Sequence, residues 1–400
     1  MISFEYSEQQ LQIKQMTNWF AANEIRPIAL EADRLGYVPE EWLEKINKMG
    51  IQLNTTSLQG GGGSSKKSKK EGEGNRMGVI ATEEIAWGDP AIALSLPGAG
   101  LGGPPIQSSG TPEQQERFLN IFKSDKARWG AYALTEPDAG SDASAVQMRA
   151  KRVDGGYVLN GQKIFITNGR RASWVVVFAT VDPKLGRAGQ RAFVVEKGTP
   201  GFSSPAVAEK MGLRANETAE LLFTDCFVPL ENLLGGEELY EEKITGASGF
   251  STAMKTFDST RPIVAAMAIG IARGAYEYTL DIVKSEYPKH SRLTTQAANL
   301  LGEMKSQISA ARMLTWEAAW KADLGLANAR EAAMCKAYAG EMALDVCSKS
   351  LELLGPTGIQ GHIVEKFYRD AKVFDIFEGT NEIQHLVIAR REFESYGIRV

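Results

Sequence analysis

The chain lacks several features by which common classes of protein are identified. None of its 400 residues lies in a run approaching the roughly 18 to 20 consecutive apolar residues that a membrane-spanning helix needs. The N-terminus has neither a basic segment followed by an apolar stretch nor an Arg-rich amphipathic character, so nothing there predicts export or organelle import. We therefore expect a cytoplasmic protein that does not bind membranes.

An excess of basic charge is also missing. The formal net charge of −4 gives no positive field for nucleic acid or for an anionic membrane surface. Residues 58–75 depart locally from this balance, because a glycine run is followed there by four lysines among serines. The composition favours a mobile surface loop over the alternative, a basic patch that meets a phosphate-bearing ligand.

Metal and nucleotide motifs are missing as well. The three cysteines lie in apolar contexts without metal-ligand spacing, and the three histidines are too scattered for a metal site. We predict reduced packing cysteines and surface or capping histidines, at Cys226, Cys335 and Cys347 and at His290, His362 and His385. The segment 98–103, GAGLGG, matches G-x-G-x-x-G, but it follows no clear strand and two prolines come next, so we reject it as a dinucleotide motif.

What is present is the composition of an ordinary globular protein, with 43% apolar and 24% charged residues. The periodicity of the apolar residues changes twice along the chain. It is helical over residues 1–128, strand-like over 129–245 and helical again over 246–400. The pattern predicts an α+β protein with a β domain between two α-helical domains.

Local signals place some element boundaries. Ser7 with Gln10 and Thr111 with Gln114 predict capping boxes, and Pro27 predicts the end of the first helix. We expect strands at 157–160, 164–167, 173–180, 191–196 and 220–227, and long helices at 258–284, 293–324, 328–353 and 361–373. Helices of that length are typical of a bundle.

A single carboxylate stands out in the segment 367–384, FYRDAKVFDIFEGTNEIQ. Glu378 lies on a tight turn, and Asn381 with Gln384 predicts a capping box that opens the next helix. An isolated Glu before a helix is usually a solvated turn residue. Here apolar residues surround it in sequence, among them Val373, Phe374, Ile376, Phe377, Ile383, Leu386 and Val387. We therefore predict a turn in a core or cleft, where a carboxylate is a candidate base.

This segment closely resembles the C-terminal signature of the acyl-CoA dehydrogenase family. Two further blocks resemble signatures of the same family: GAYALTEPDAGSD at 130–142 and GQKIFITNG at 161–169. The segment FDSTR at 257–261 resembles the start of its first long C-terminal helix. The resemblance implies an α-helical N-terminal domain, a middle β-barrel or sandwich domain and a C-terminal four-helix bundle.

The resemblance also implies the site residues. It makes Glu378 the catalytic base; some relatives carry the base at the position of Thr260, which cannot serve. FAD would be held by Tyr132, Leu134, Thr135, Ser141, Phe165, Thr167, Thr380, Gly355 and Gly358. The acyl-CoA would contact Ser141, Leu94, Phe257, Arg261 and Gly379, and no metal is implied. Two departures from the family pattern concern the adenosine end of FAD: SEYPKHSR replaces an Arg followed by Phe-Gly, and ELLGPTG replaces Gln-x-x-Gly-Gly-x-Gly.

The implied reaction is α,β-dehydrogenation of an acyl-CoA thioester. Glu378 would take the α-proton while the β-hydrogen leaves as hydride, and an electron-transfer flavoprotein would receive the electrons. The family further implies a homotetramer. No Arg or Lys lies between Arg76 and Arg117, so we expect a monocarboxyl acyl chain, with room beside Gly98, Ala99 and Gly100 for a short, branched or ring-bearing group.

Two rival functions remain open. One is a flavin-dependent oxidase or monooxygenase on the same scaffold, which would pass electrons to oxygen. The other is a non-catalytic flavoprotein that binds nucleic acid, against which the acidic balance argues.

Overall fold

The computed structural model describes residues 2–51, 72–241 and 248–398. Most of the glycine- and lysine-rich segment predicted as a loop lies outside these ranges. Within them the chain is helical, then forms a sheet, then is helical again. In the described ranges, no helix combines the length and the apolar character needed to cross a membrane.

The first region is built from short helices. They are α1 Glu8–Phe20, α2 Ala29–Leu35, α3 Glu40–Lys48, α4 Gly74–Gly88, α5 Pro90–Ser95, α6 Gly103–Ser109 and α7 Pro112–Leu119. The capping boxes predicted at Ser7 and Thr111 are both present. Pro27 does not end the first helix as predicted. The backbone continues through a π-helical turn and a 3-10 turn into α2, because Pro27 occupies an early position of the 3-10 turn, where its missing N–H is not required.

The middle region is a curled sheet of seven strands in the described residues. They are β1 Gly130–Ala133, β2 Arg149–Val153, β3 Gly156–Thr167, β4 Trp174–Thr180, β5 Gln190–Glu196, β6 Phe202–Ser203 and β7 Thr218–Pro229. The strands predicted at 157–160 and 164–167 are one strand, β3, which pairs with β7 and is interrupted by a bulge between Lys163 and Ile166. Strands β2 and β6 show no clear alternating pattern in the sequence, because they are short or lie beside turns.

The C-terminal region consists of long helices. After the short helix α8 Glu238–Glu241 come α9 Ser248–Glu286, α10 Arg292–Asp323, α11 Ala329–Leu354, α12 Ile363–Ala371 and α13 Asn381–Ser395. Helix α9 begins at Ser248, ten residues before the predicted position 258, and Pro262 lies inside it without ending it. The segment FDSTR at 257–261 therefore lies within a continuous helix that faces the sheet.

A buried ionic cluster joins the three regions. Lys366 of α12 is fully buried and contacts the carboxylates of Asp89, which caps α5, and of Asp370. Asp370 also accepts a hydrogen bond of 2.6 Å from the backbone N–H of Leu213, just before β7. Burial raises the pKa of Asp370 to about 6. The cluster fixes α12, and the segment that follows it, against both other regions.

The cysteines and histidines occupy the predicted kinds of position. The three cysteines are free and buried. His362 is the N-cap of α12, where its Nδ1 accepts a hydrogen bond of 3.1 Å from the Val364 N–H. His290 and His385 are exposed.

Candidate active site

The turn between α12 and α13 carries Glu378 in an unusual backbone conformation. Glu378 has φ of 58° and Gly379 has φ of 91°, so two successive residues lie in the left-handed region. Only Gly379 adopts that region without steric cost; for Glu378 the cost is about 1 to 2 kcal/mol. Backbone strain of this kind is concentrated at functional sites, where surrounding contacts hold it.

The start of α13 differs from the prediction. The N-cap is Thr380, whose hydroxyl accepts a hydrogen bond of 3.4 Å from the Ile383 N–H, and Asn381 is the first helical residue. The predicted capping box of Asn381 and Gln384 is therefore wrong. The amide of Gln384 instead donates to the carbonyls of Glu378 and Gly379, at 3.2 and 2.9 Å, and so stabilises the turn itself.

Glu378 points towards α9. The hydroxyl of Thr260, which is buried, donates a hydrogen bond of 2.7 Å to Oε2 of Glu378. Burial raises the pKa of Glu378, while this hydrogen bond and the positive charges of Arg261 and Lys336 oppose the rise. A carboxylate with a raised pKa and a defined orientation fits the task of a base.

The apolar surroundings predicted for this turn are only partly present. Phe374 is fully buried and packs edge-to-face on Phe377, with ring centroids 5.3 Å apart. Ile376 and Leu386, in contrast, are 55% and 64% exposed in the described chain. One side of the turn thus packs on the core, and the other side lies at the surface.

The two sequence blocks assigned to the flavin lie side by side. Lys163 of β3 is fully buried, and its Nζ donates to the carbonyl of Leu134, at 2.8 Å, and to the carboxylate of Glu136, at 2.7 Å. The Ile164 N–H donates to the carbonyl of Thr135 at 3.0 Å. These bonds attach the end of β1 to the bulge of β3, so the predicted neighbours of the flavin ring lie together.

Two aromatic residues of these blocks could contact a ligand, one through its exposed ring and the other through its hydroxyl. Phe165 has φ of 57° and is 65% exposed, although it lies between buried residues of β3. The hydroxyl of Tyr132 is buried and has no hydrogen-bond partner among the described residues. An exposed aromatic face and a hydroxyl without a partner, beside half-buried Thr135 and Thr167, fit a flat heteroaromatic group such as a flavin.

Tyr132 connects this region to Glu378. Its ring contacts that of Phe257 on α9, with centroids 5.9 Å apart, and the negative charge of Glu378 adds to the burial that raises the Tyr132 pKa. Arg261 is buried on the next turn of α9 and donates to Asp258 at 3.1 Å. Its Nε has no partner in the described part of the chain. The structure thus groups Tyr132, Phe257, Arg261 and Glu378 where the sheet meets the bundle.

The remaining predicted contacts lie on the borders of this group. Leu94 is half-buried, and its carbonyl accepts a hydrogen bond of 2.9 Å from Asn168, which directly follows Thr167. Ser141 is exposed on the loop after β1. The backbone at Gly98 pairs with Trp129, and a Cβ at Gly100 would lie 3.3 Å from the Gly130 carbonyl. Both glycines therefore lie close to the start of β1, and the room predicted beside them for an acyl group stays a prediction.

Gly355 and Gly358 are not part of the group around Glu378. They lie in the 3-10 turn that follows α11, whereas Lys336, near the start of α11, contacts the Glu378 turn. At 1.5 Å per residue, Gly355 is roughly 28 Å along the helix from Lys336. Any role of these glycines in holding a cofactor concerns a part of it far from the ring, or a cofactor bound beside another copy of the chain.

Sequence reasoning missed three contacts at this site. Thr260 was rejected as a base, but its bond to Glu378 was not foreseen, and neither were the buried cations Lys163 and Lys336. Each of them acts on a residue that is distant in sequence: Lys336 and Gly379, for example, are 43 residues apart. The signal that could have identified the two lysines is their position within otherwise apolar, buried stretches.

The sequence matches three family models along almost its whole length. The models described as the N-terminal, middle and C-terminal domains of acyl-CoA dehydrogenase match residues 7–124, 131–226 and 247–393.

Individual proteins are similar over their whole length. The short-chain specific acyl-CoA dehydrogenase of Clostridium acetobutylicum is 37% identical, across 98% of this chain and 100% of the relative. The NADH-dependent acryloyl-CoA reductase of Anaerotignum propionicum is 39% identical, across 97% of this chain and 95% of the relative. A chain in the solved structure described as the electron transferring flavoprotein of Acidaminococcus fermentans superposes with a TM-score of 0.86 and 33% identity, over 98% of this chain and 99% of that chain.

Proposed function

Because the chain belongs to the acyl-CoA dehydrogenase family, we propose that it is an FAD-dependent acyl-CoA dehydrogenase that oxidises an acyl-CoA thioester to the 2-enoyl-CoA. One observation carries the proposal beyond the family. Glu378 is a partly buried carboxylate in a strained backbone conformation, oriented by Thr260, and it lies close to Tyr132, whose ring contacts Phe257. Its position combines a base with the surface on which a flavin would lie.

In the proposed reaction, Glu378 removes the α-proton of the thioester. The proton moves to the Glu378 carboxylate. The raised pKa of this carboxylate favours its holding the proton. Bound FAD would supply the acceptor for the β-hydrogen and its electron pair, so that the substrate would lose one proton and one hydride and gain a double bond. The positive charges of Arg261 and Lys336 oppose the effect of burial on the Glu378 pKa and so favour the ionised carboxylate.

The residues that would hold FAD form two groups. Tyr132, Leu134, Thr135, Phe165 and Thr167 would contact the flavin ring, with Ser141 and Thr380 at its border. Gly355 and Gly358 would serve the adenosine end. Since they lie far along α11 from Glu378, we propose that they do so for the cofactor of a neighbouring copy of the chain.

In a homotetramer, a neighbouring copy of the chain would lie close enough to share a cofactor site. The described C-terminal helices expose apolar side chains that a second copy would cover, among them Leu386, Phe393 and Tyr396 on α13 and Ile359 after α11. Apolar side chains clustered on one helix are a mark of an interaction surface. The apolar residues on more than one face of α10 and α11 agree with this arrangement.

The proposed acyl group is short and neutral at its far end. The most informative name among the relatives is a short-chain specific acyl-CoA dehydrogenase. The absence of Arg and Lys between Arg76 and Arg117 points the same way, because a second carboxylate would need a cation near Leu94. The proposed electron acceptor is an electron-transfer flavoprotein, supported by the similarity to a chain in a structure of such a protein.

A second candidate function is the reverse reaction, reduction of a 2-enoyl-CoA. The 39% identity to an acryloyl-CoA reductase favours it, and the same Glu378 would then return a proton to the α-carbon. Oxidation of NADH in the presence of acryloyl-CoA and a carrier flavoprotein, at a rate above that of acyl-CoA oxidation, would identify this direction.

The proposal is tested by anaerobic bleaching of the flavin with a panel of acyl-CoAs. We expect butyryl-CoA and its short neutral neighbours to reduce the flavin in a single turnover, and Glu378→Gln to slow this step by about 10² to 10⁴ while FAD content persists. A Gln variant that bleaches at nearly the wild-type rate would refute the role of Glu378. Reoxidation by air that is as fast as reoxidation by a carrier protein would indicate an oxidase instead.

A further inference from the structure

Lys336 is a buried cation in direct contact with the turn that carries Glu378. It belongs to α11, is 1% exposed, and its Nζ donates to the carbonyl of Gly379 at 2.8 Å and to Oδ1 of Asn381 at 3.2 Å. Burial lowers the pKa of Lys336 to about 8, although the negative charges of Asp375 and Glu378 act to raise it. An ammonium group is expensive to bury, and an apolar residue of similar volume would pack there at lower cost.

The turn needs such a contact because of its backbone conformation. Glu378 and Gly379 both have positive φ. This strained conformation persists only if other groups bind the carbonyls of the two residues and fix their orientation. Gln384 donates to both carbonyls, and Lys336 adds the charged donor to that of Gly379. Charge-assisted hydrogen bonds are roughly twice as strong as neutral ones.

The side chain of Glu378 and the backbone next to it are thus held by two different helices. Thr260 of α9 binds the carboxylate, and Lys336 of α11 binds the backbone one residue further on. We propose that Lys336 is a positioning residue for the reaction: it holds the turn so that the Glu378 carboxylate faces the substrate, and its charge favours the ionised base. This inference rests on the proposed function of Glu378.

Other charged and titratable groups also face this turn, and they set what Lys336 contributes. Helix α9 supplies Arg261, which itself lies near Asp258 and Cys335, and β1 supplies Tyr132. Helix α11 also supplies Glu341, which accepts a hydrogen bond of 3.4 Å from the Asn381 side-chain amide. The turn and the start of α13 supply Asp375 and Glu382. Arg261 is the other cation near Glu378 and remains when Lys336 is replaced. Removing Lys336 should therefore shift the titration of Glu378 without abolishing its ionisation.

The test compares Lys336→Met with Lys336→Arg in the FAD-loaded protein. Met removes the donor and the charge at similar volume, whereas Arg keeps both. Lys349→Met is the matched control, because Lys349 also belongs to α11 but pairs with Glu303 and Asp345, away from the turn.

Three quantities are measured. We expect Lys336→Met to lower the rate of flavin reduction at saturating butyryl-CoA by about 10²-fold, because small displacements of a reacting group have effects of that size, with a smaller change in KM. The pH midpoint of that rate should rise by about 0.5 to 1 unit, since a positive charge near the carboxylate is lost. Hydrogen exchange of the amides at 376–384 should accelerate. Arg should restore most of each quantity, and Lys349→Met should change none.

The outcomes separate this inference from the proposed function. If Lys336→Met has the wild-type rate, pH midpoint and hydrogen exchange, Lys336 does not position the turn. If exchange accelerates but Glu378→Gln reduces its flavin normally, the turn is held by Lys336 and the role of Glu378 as base is wrong. Should Met fail to fold, Lys336→Gln, which keeps a neutral donor, is measured in the same way. Loss of fold in all three Lys336 variants would make the residue purely structural and overturn the proposal.

Discussion

The hydroxyl of Thr260 lies 2.7 Å from Oε2 of Glu378, although the two residues are 118 positions apart in the chain. The contact shows that the side chain at position 260, on α9, and the carboxylate on the turn before α13 meet at one point. With Thr at position 260, the carboxylate gains an oriented donor.

The first prediction concerns this hydrogen bond. Thr260→Val should raise the pKa of Glu378, because a hydrogen bond to a charged group is worth about 1.5 to 3 kcal/mol and favours the ionised form. The pH midpoint of flavin reduction should therefore move upward by roughly one unit, since one unit corresponds to about 1.4 kcal/mol. Stopped-flow absorbance with butyryl-CoA measures it. Thr260→Ser keeps the hydroxyl and should retain the wild-type midpoint; an unchanged midpoint in Val would mean that the bond does not form.

The second prediction concerns Lys163, whose Nζ connects Leu134 to Glu136. Lys163→Met leaves the buried Glu136 carboxylate without its cation, which should cost about 3 to 5 kcal/mol and lower the thermal midpoint by several degrees. FAD retention should fall as well, because the end of β1 loses one of its two attachments to β3, the Lys163 bond to the Leu134 carbonyl. Calorimetry and the flavin-to-protein absorbance ratio measure the two effects.

The double variant Lys163→Met with Glu136→Gln is the control for that experiment. It removes the uncompensated charge, so the thermal midpoint should recover part of the loss while FAD retention stays low. Lys151→Met, on an exposed position of β2, should alter neither. A Lys163→Met protein with full FAD content would contradict the role assigned to the Leu134 contact.

The order of helical and strand-forming regions and the turn at Glu378 were predictable, because each depends on patterns within a short stretch of sequence. What could not be predicted depends on distant partners. Asn381 and Gln384 have the spacing of a capping box, but Lys336 and Asp375 bind Asn381, so Thr380 becomes the cap. The exposure of Ile376 and Leu386 could not be read from their apolar character, because residues distant in sequence determine which apolar side chains are covered.

The third prediction concerns assembly. Sedimentation should show a homotetramer, and Leu386→Asp combined with Phe393→Asp should weaken it, because both side chains are exposed on α13 in the single chain. FAD content should fall together with the tetramer if Gly355 and Gly358 serve a neighbouring site. Glu394→Lys, which changes a charge at the same end of α13 without replacing an apolar side chain, is the matched control. A monomer that retains full FAD would refute both parts.

The fourth prediction concerns the acyl group. Butyryl-CoA should reduce the flavin much faster than glutaryl-CoA, because the free carboxylate of glutaryl-CoA finds no Arg or Lys in the stretch from Arg76 to Arg117. Single-turnover rates at saturating concentration of each thioester measure the preference. Rapid turnover of glutaryl-CoA with butyryl-CoA inert would show that a cation from elsewhere in the fold reaches the pocket.

The last prediction is the pH dependence that follows from the raised pKa of Glu378. The base is the ionised form, which is present above its pKa, so the rate of flavin reduction should rise with pH through a group that titrates above the ordinary value of 4.5. In Glu378→Gln the residual rate should show no such rise. Stopped-flow reduction across the pH range distinguishes the two; a wild-type midpoint at or below 4.5 would mean that burial does not govern this carboxylate.

The same shift has an opposite consequence for stability. An acid whose pKa is higher in the folded state binds its proton more tightly there, so the folded state loses stability as pH rises from 4.5 through the folded pKa. Above that pH the buried charge remains a cost, which Gln at position 378 does not carry. Glu378→Gln should therefore have a higher thermal midpoint than the wild type at pH 8, and the difference should vanish near pH 4, where Glu378 is protonated in both states. Calorimetry at the two pH values measures it. Equal midpoints at pH 8 would show that Thr260, Arg261 and Lys336 compensate fully for burial, and the base would then be held at no cost to the fold.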